Sequence, residues 1–215
     1  LIPLFNIINF ATCPIENVVK EGKPLRIGTL FKTPVFWIAV VLMICAGASE
    51  LSMAQWASAY AEAAVGLSKT AGDLVGPCIF AAAMGICRSL YGKYGDKLNL
   101  MNFMLGSGIL CLICYLMSAL SSNPMIGLIG CSLCGGSVAI MWPGTISLST
   151  KRLPTGGTAM FAFLAMAGDL GGTVGPLLVG NVTQLADNSL RAGLLAGCVF
   201  PVILIIALIC IRRQG

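Results

Sequence analysis

The sequence predicts an all-α membrane protein of six transmembrane helices, arranged as two inverted three-helix repeats. Composition is the first reason: 57% of the 215 residues are hydrophobic and 10% are charged, against about 25% charged in a soluble domain, and mean hydropathy is +0.92. The second is run length, since a bilayer crossing takes about 20 mostly apolar residues. Six runs qualify, near 34–61, 72–91, 99–119, 124–149, 156–181 and 191–211. They are continuously apolar, which excludes barrel strands of about 10 residues with alternating polarity. The third is charge placement. Lys20, Lys23, Arg26 and Lys32 precede the first span; Arg88, Lys93 and Lys97 follow the second; Lys151 and Arg152 follow the fourth; Arg212 and Arg213 follow the sixth. Only Lys69 and Arg191 fall on the other side, so the first side is expected to be cytoplasmic, with both chain ends on it. The net charge of +5 is then a topology signal, and nucleic-acid binding is not expected, because no basic patch interleaved with aromatics appears.

Leu1–Phe10 is apolar, too short to span, and without the basic region and cleavage site of a signal peptide. It reads as the tail of a preceding helix, so the chain reads as a piece of a larger protein. Cys13–Lys32, with Pro14, Pro24 and mixed charge, reads as a cytoplasmic linker. Residues 1–33 thus form a tail and linker, and 34–215 a six-helix bundle.

The first span carries Glu50 at mid-membrane depth. A carboxylate there costs about 2.5–3.5 kcal/mol on insertion scales, so it is expected to face a cavity or a partner. At 100° per residue Met43, Ala46, Ala54, Ala57 and Ala61 share its face, a small-residue face suited to close packing or to lining a cavity. Gln55 and Trp56 follow toward the outer end. Glu62, Lys69 and Asp73 mark a short outer loop, and the second span, with Gly76-Pro77 inside it, is expected to end at Arg88. The stretch from Arg88 through Gly92, Lys93, Gly95, Asp96 and Lys97 then forms a cytoplasmic loop in which the glycines permit a tight turn.

The third span, Asn99–Ala119, leads through Ser121-Ser122-Asn123-Pro124 to the fourth, where Trp142-Pro143-Gly144-Thr145 predicts a kink. Backbone freed by a kink must meet protein or line a wet cavity. The fifth span holds a second membrane carboxylate, Asp169, beside Gly171 and Gly175, four residues apart, with Pro176 next. That glycine face allows close approach of another helix, and Pro176 is expected to bend the span. The sixth span, Ala192–Ile211, is uncharged scaffold. Span starts at 34 and 124, 72 and 156, and 99 and 191 recur at a nearly constant offset, the spacing of two three-helix repeats of opposite topology.

On these residues the chain resembles the C-terminal six-helix half of a major facilitator superfamily transporter over nearly its whole length. Gly92-Lys93-Tyr94-Gly95-Asp96-Lys97, with Arg88 upstream, looks like that family's cytoplasmic loop signature, although Gly92 stands where an aspartate is usual. Gly171-x-x-x-Gly175-Pro176 looks like its glycine–proline gating helix, and the basic linker sits where its central loop would be. Glu50-x-x-x-x-Gln55-Trp56 and Pro143-Gly144-Thr145 resemble the bacterial fucose- and glucose-permease branch. The resemblance implies half of a twelve-helix fold, a missing N-terminal six-helix half, a bacterial inner (plasma) membrane and sugar–proton symport.

Cys111-x-x-Cys114 and Cys131-x-x-Cys134 have zinc-ribbon spacing. Both pairs lie inside apolar helices, where thiolates are disfavoured and the knuckle turn cannot form, so no metal is expected and the cysteines read as apolar filler. Asn181-Val182-Thr183 matches a glycosylation sequon at a helix end and reads as accidental. With no histidine, Walker loop, Gly-x-Ser-x-Gly elbow or metalloprotease motif, neither an enzyme nor a cofactor is expected. A channel, an intramembrane enzyme using the carboxylates, or a scaffold remains as the rival class. The reading that uses most of these residues is a secondary active transporter of a small polar solute. Without histidine, proton coupling in this half must use carboxylates. Glu50 is the first candidate for coupling or solute contact, and Asp169 the second. Gln55, Trp56 and Trp142 are candidates for solute binding, since an aromatic face suits a sugar's apolar face and an amide its hydroxyls. Arg88, Gly92, Lys93, Gly95, Asp96 and Lys97 are candidates for a latch between access states, and Gly171, Gly175 and Pro176 for gating.

Overall fold

A computed structural model describes residues 2–13, 25–66 and 68–213. Most of the expected linker, residues 14–24, lies outside these. The described residues form helices α1 (Ile2–Thr12), α2 (Ile27–Phe31), α3 (Pro34–Val65), α4 (Lys69–Tyr94), α5 (Leu100–Leu120), α6 (Pro124–Val138), α7 (Met141–Arg152), α8 (Gly157–Leu185), α9 (Leu190–Gly197) and α10 (Val199–Arg213). Six spans are long and apolar enough to cross a membrane: α3, α4, α5, α6 with α7, α8, and α9 with α10. Successive spans reverse direction, so the triplets beginning at α3 and α6 start from opposite ends.

Helix ends follow local chemistry. Pro34 and Pro124 occupy first-turn positions where a missing N–H costs nothing. The side chains of Ser68, Asn99 and Asn123 accept from Ala71, Asn102 and Met125 N–H groups. Gly66 closes α3 in the left-handed conformation at φ +66°, which glycine takes without strain. The polar residues expected in the outer loop are helical: Glu62 lies in the last turn of α3, and Lys69 and Asp73 lie in α4. Polar residues at the ends of long helices have the composition of a loop while their backbone stays helical.

The expected kink in the fourth span lies at Ala139 and Ile140, between α6 and α7, just ahead of Trp142-Pro143-Gly144-Thr145. Pro77 and Pro176 sit inside continuous helices. The sixth span does show a one-residue interruption at Cys198, where Pro201 cannot donate to the Gly197 carbonyl.

Helix α3 is the centre of the bundle and packs on α8, α6, α4, α10 and α7. Midway along its seam with α8, backbone meets backbone: Gly47 lies on the Gly168 carbonyl, and Gly171 lies on the Ile44 carbonyl. Gly175 fits against Ala48, where an added Cβ would come within 2.7 Å of the Ala48 Cα. The small-residue face of α3 is likewise used for packing, with Met43, Ala46, Ala57 and Ala61 buried and Gly76 of α4 seated on Ala57. Cys111, Cys114, Cys131 and Cys134 are buried in the main core, with Cys111 and Cys134 sulfurs 3.8 Å apart. Thr183 of the sequon is buried within α8 and donates to the Val179 carbonyl. Near the start of α3, Phe31, Phe36, Trp37 and Phe163 form an aromatic cluster that ties α2 to α3 and α8.

Candidate functional site

The site begins with a missing hydrogen. Pro143 lies in the first turn of α7 and has no N–H, so the carbonyl four residues earlier, Ala139, loses its helical donor. In the membrane such an orphan must be satisfied from elsewhere. Arg88 of α4 supplies the bond: its Nε donates to the Ala139 oxygen at 3.0 Å. The same guanidinium reaches Glu50 of α3, with Nη2 4.0 Å from Oε2. Arg88 is thus fixed between a carboxylate and a freed backbone dipole, both of which favour a cation.

The arrangement corrects the reading of Arg88–Lys97. Arg88 is not in a loop; α4 continues six residues beyond it to Tyr94, and the turn is the short 3-10 stretch Gly95–Lys97. Gly92 is helical and exposed, and Gly95 takes ordinary right-handed angles (φ −59°), so neither serves a left-handed turn. Gly95 lies close under the Tyr91 ring, 3.0 Å from where a Cβ would be built. That ring stacks on Phe103 of α5, with centroids 5.3 Å apart. Lys93 lies over the Tyr94 ring at 5.4 Å, and Lys97 is exposed. The side chain of Asp96 lies outside the described residues. Of the charges in this stretch, Arg88 has partners on other helices, Ala139 and Glu50, and Lys93 and Lys97 lie on the surface.

Glu50 is held in an unfinished environment. Its side chain is only 20% exposed, and Oε2 is buried without a hydrogen bond among the described residues, because 4.0 Å to Arg88 is charge contact and not a hydrogen bond. One residue earlier, the Ser49 hydroxyl is also buried and unbonded among the described residues, while the Ser49 carbonyl accepts from the fully buried Tyr115 hydroxyl at 2.8 Å. A buried carboxylate oxygen with spare accepting capacity can take up a proton or a donor from a ligand.

The other expected residues do not converge on Glu50. Gln55 and Trp56 fall on different faces of α3, respectively about 140° and 120° away by the helical period; Gln55 is exposed and Trp56 packs on the main core. Trp142 lies against Gly168 of α8 and joins both apolar clusters. Asp169 is exposed, one residue beyond that contact, and makes no ion pair among the described residues. Gly171 and Gly175 are buried in the α3–α8 seam, and Pro176 is half-buried beside it. Sequence reasoning missed the link from Pro143 through Ala139 to Arg88. Its signal was present: opposite charges in two consecutive spans, and a proline in a third.

Comparison with known proteins comes to the same architecture. The model of the Major Facilitator Superfamily matches residues 12–176. No curated protein matches the chain. Among solved structures, an MFS transporter, FucP, in the outward conformation superposes with a TM-score of 0.77 at 16% identity, covering 100% of this chain and 52% of that one. A variant of the E. coli fucose:proton symporter FucP gives 0.77 at 17% identity, with the same coverage. The chain therefore spans about half the length of these structures, and at such identities the likeness is one of fold.

Proposed function

Because the chain belongs to the major facilitator superfamily, we propose that it supplies one six-helix half of a secondary active transporter that moves a small polar solute, such as a sugar, together with protons by alternating access. The observation that carries this reading is the Glu50–Arg88 pair on the Ala139 carbonyl. In one state Glu50 is charged and paired with Arg88. When a proton neutralises Glu50, the attraction that holds α3 to α4 at this depth is lost and Arg88 keeps only its backbone partner. A proton is thereby exchanged for a change in helix contacts, which is what coupling requires. The likeness in fold to a fucose:proton symporter supports the choice of solute class and ion. Under this reading Trp142, Gln55, Trp56 and Asp169 serve the solute path at other points of the bundle, and a second six-helix half forms the facing wall.

The test uses the full-length protein in proteoliposomes. Glu50→Gln is expected to abolish concentrative uptake driven by a proton gradient while keeping solute counterflow within about threefold of wild type, since counterflow needs no net proton movement. Undiminished concentrative uptake in the variant would overturn Glu50 as the coupling group.

A further inference from the structure

We infer that the basic end of the bundle carries a binding site for one anionic phospholipid, its phosphate held at the first turn of α5 and an acyl chain lying between α4 and α5. Two spaces meet there. Helices α4 and α5 both pack on α6, while their backbones stay apart and they meet through the Tyr91–Phe103 stack. Between them runs a cavity of about 930 Å³, floored by α6 and the start of α7 and lined by such residues as Ile86, Leu90, Phe103, Leu110, Leu133 and Ile140. Around the start of α5 lies a second space of about 370 Å³, lined by Asn99, Asn102, Lys151, Arg152 and Arg212. Asn102 lines both.

Each space taken alone would fit a different molecule: the first an apolar one, the second a soluble anion. Side by side, with Asn102 on the wall of each, they fit an amphiphile with an anionic head and a hydrocarbon tail, and the surrounding membrane supplies phospholipid. Among the described residues lining either space none is acidic. Arg152 is partly engaged, donating to the Ile211 carbonyl at 3.3 Å, which ties α7 to α10 and builds the wall of the head pocket. Lys151 and Arg212 are exposed, with no carboxylate partner among the described residues. The positive end of the α5 dipole adds to their field. Arg88 also lines the long cavity, and its guanidinium is engaged by Ala139 and Glu50. Basic pockets between transmembrane helices recognise anionic head groups by this combination of charge and shape.

The test is native mass spectrometry of the delipidated full-length protein, titrated in detergent with phosphatidylglycerol, with phosphatidylcholine, or with glycerol 3-phosphate. Phosphatidylglycerol is expected to be retained about tenfold more tightly than phosphatidylcholine, and the preference to disappear in Lys151→Ser/Arg212→Ser. Gly106 lines the long cavity and has open space where a Cβ would be built, so Gly106→Leu should fill the chamber without disturbing the fold. It is expected to lower phosphatidylglycerol retention several-fold with an unchanged melting temperature. Equal retention of the two lipids, indifference to either variant, or displacement of lipid by glycerol 3-phosphate at equal concentration would each overturn the assignment; the last would make the pocket a site for free phosphate esters.

Discussion

Pro143 lies 93 residues from Glu50 in the sequence, yet it decides how Glu50 is held. It frees the Ala139 carbonyl, the carbonyl accepts from Arg88, and Arg88 faces Glu50. Removing one partner should cost more than removing both. Arg88→Gln leaves a carboxylate uncompensated at membrane depth and is expected to lower stability by about 1–2 kcal/mol, below the cost for a fully buried pair because Arg88 is half exposed. Glu50→Gln/Arg88→Gln should regain part of that loss. Thermal unfolding in detergent measures both; strictly additive effects would show that the two groups do not interact. Glu50 was legible in the sequence because any carboxylate stands out in an apolar run of this length. Arg88 was misread because a charge at the edge of a hydropathy window looks like the end of a span, whereas a long side chain can turn inward to a partner while its helix runs on. Gln55 and Trp56 stood out for an amide and an aromatic ring in an apolar run, and the helical period turns both to faces other than that of Glu50.

At the scale of elements, the α3–α8 seam fixes the bundle's centre. The four-residue spacing of Gly171 and Gly175 announced a close helix contact, but nothing local could say which helix would be met, since the partner lies more than a hundred residues earlier. Backbone meets backbone there: Gly171 rests on the Ile44 carbonyl and Gly47 on the Gly168 carbonyl. A single methyl group therefore forces the helices apart. Gly171→Ala is expected to destabilise by about 1–3 kcal/mol. Gly180, on the same helix, has open space at its Cβ position, so Gly180→Ala should leave the melting temperature unchanged or raise it slightly. Equal behaviour of the two variants would remove the seam from the account. The six spans themselves were readable because length and hydropathy are local properties. The break at Ala139–Ile140 was displaced by a few residues because a proline disturbs the turn before it, not the residues that follow.

The whole molecule has two ends that differ chiefly in charge. α4, the 3-10 stretch after it, α7 and α10 bring Lys93, Lys97, Lys151, Arg152, Arg212 and Arg213 to one end, and Lys69 and Arg191 lie at the other. The alternation of the spans, inferred from the recurrence of their starts, is the architecture found, yet helix packing alone would be satisfied in either orientation across a membrane. Orientation is decided at insertion, where basic loops are retained on the cytoplasmic side. In intact cells a membrane-impermeant thiol reagent is therefore expected to label Arg191→Cys and spare Lys97→Cys, each in a background without native cysteines, and to label both once the membrane is opened. The reverse pattern would invert the bundle and put the Tyr91–Phe103 stack and the basic pocket on the outer face. That outcome would also alter the mechanism: Arg88 lies toward the basic end from Glu50, so the orientation sets which side of the membrane Glu50 must reach when the pair opens and its proton is released.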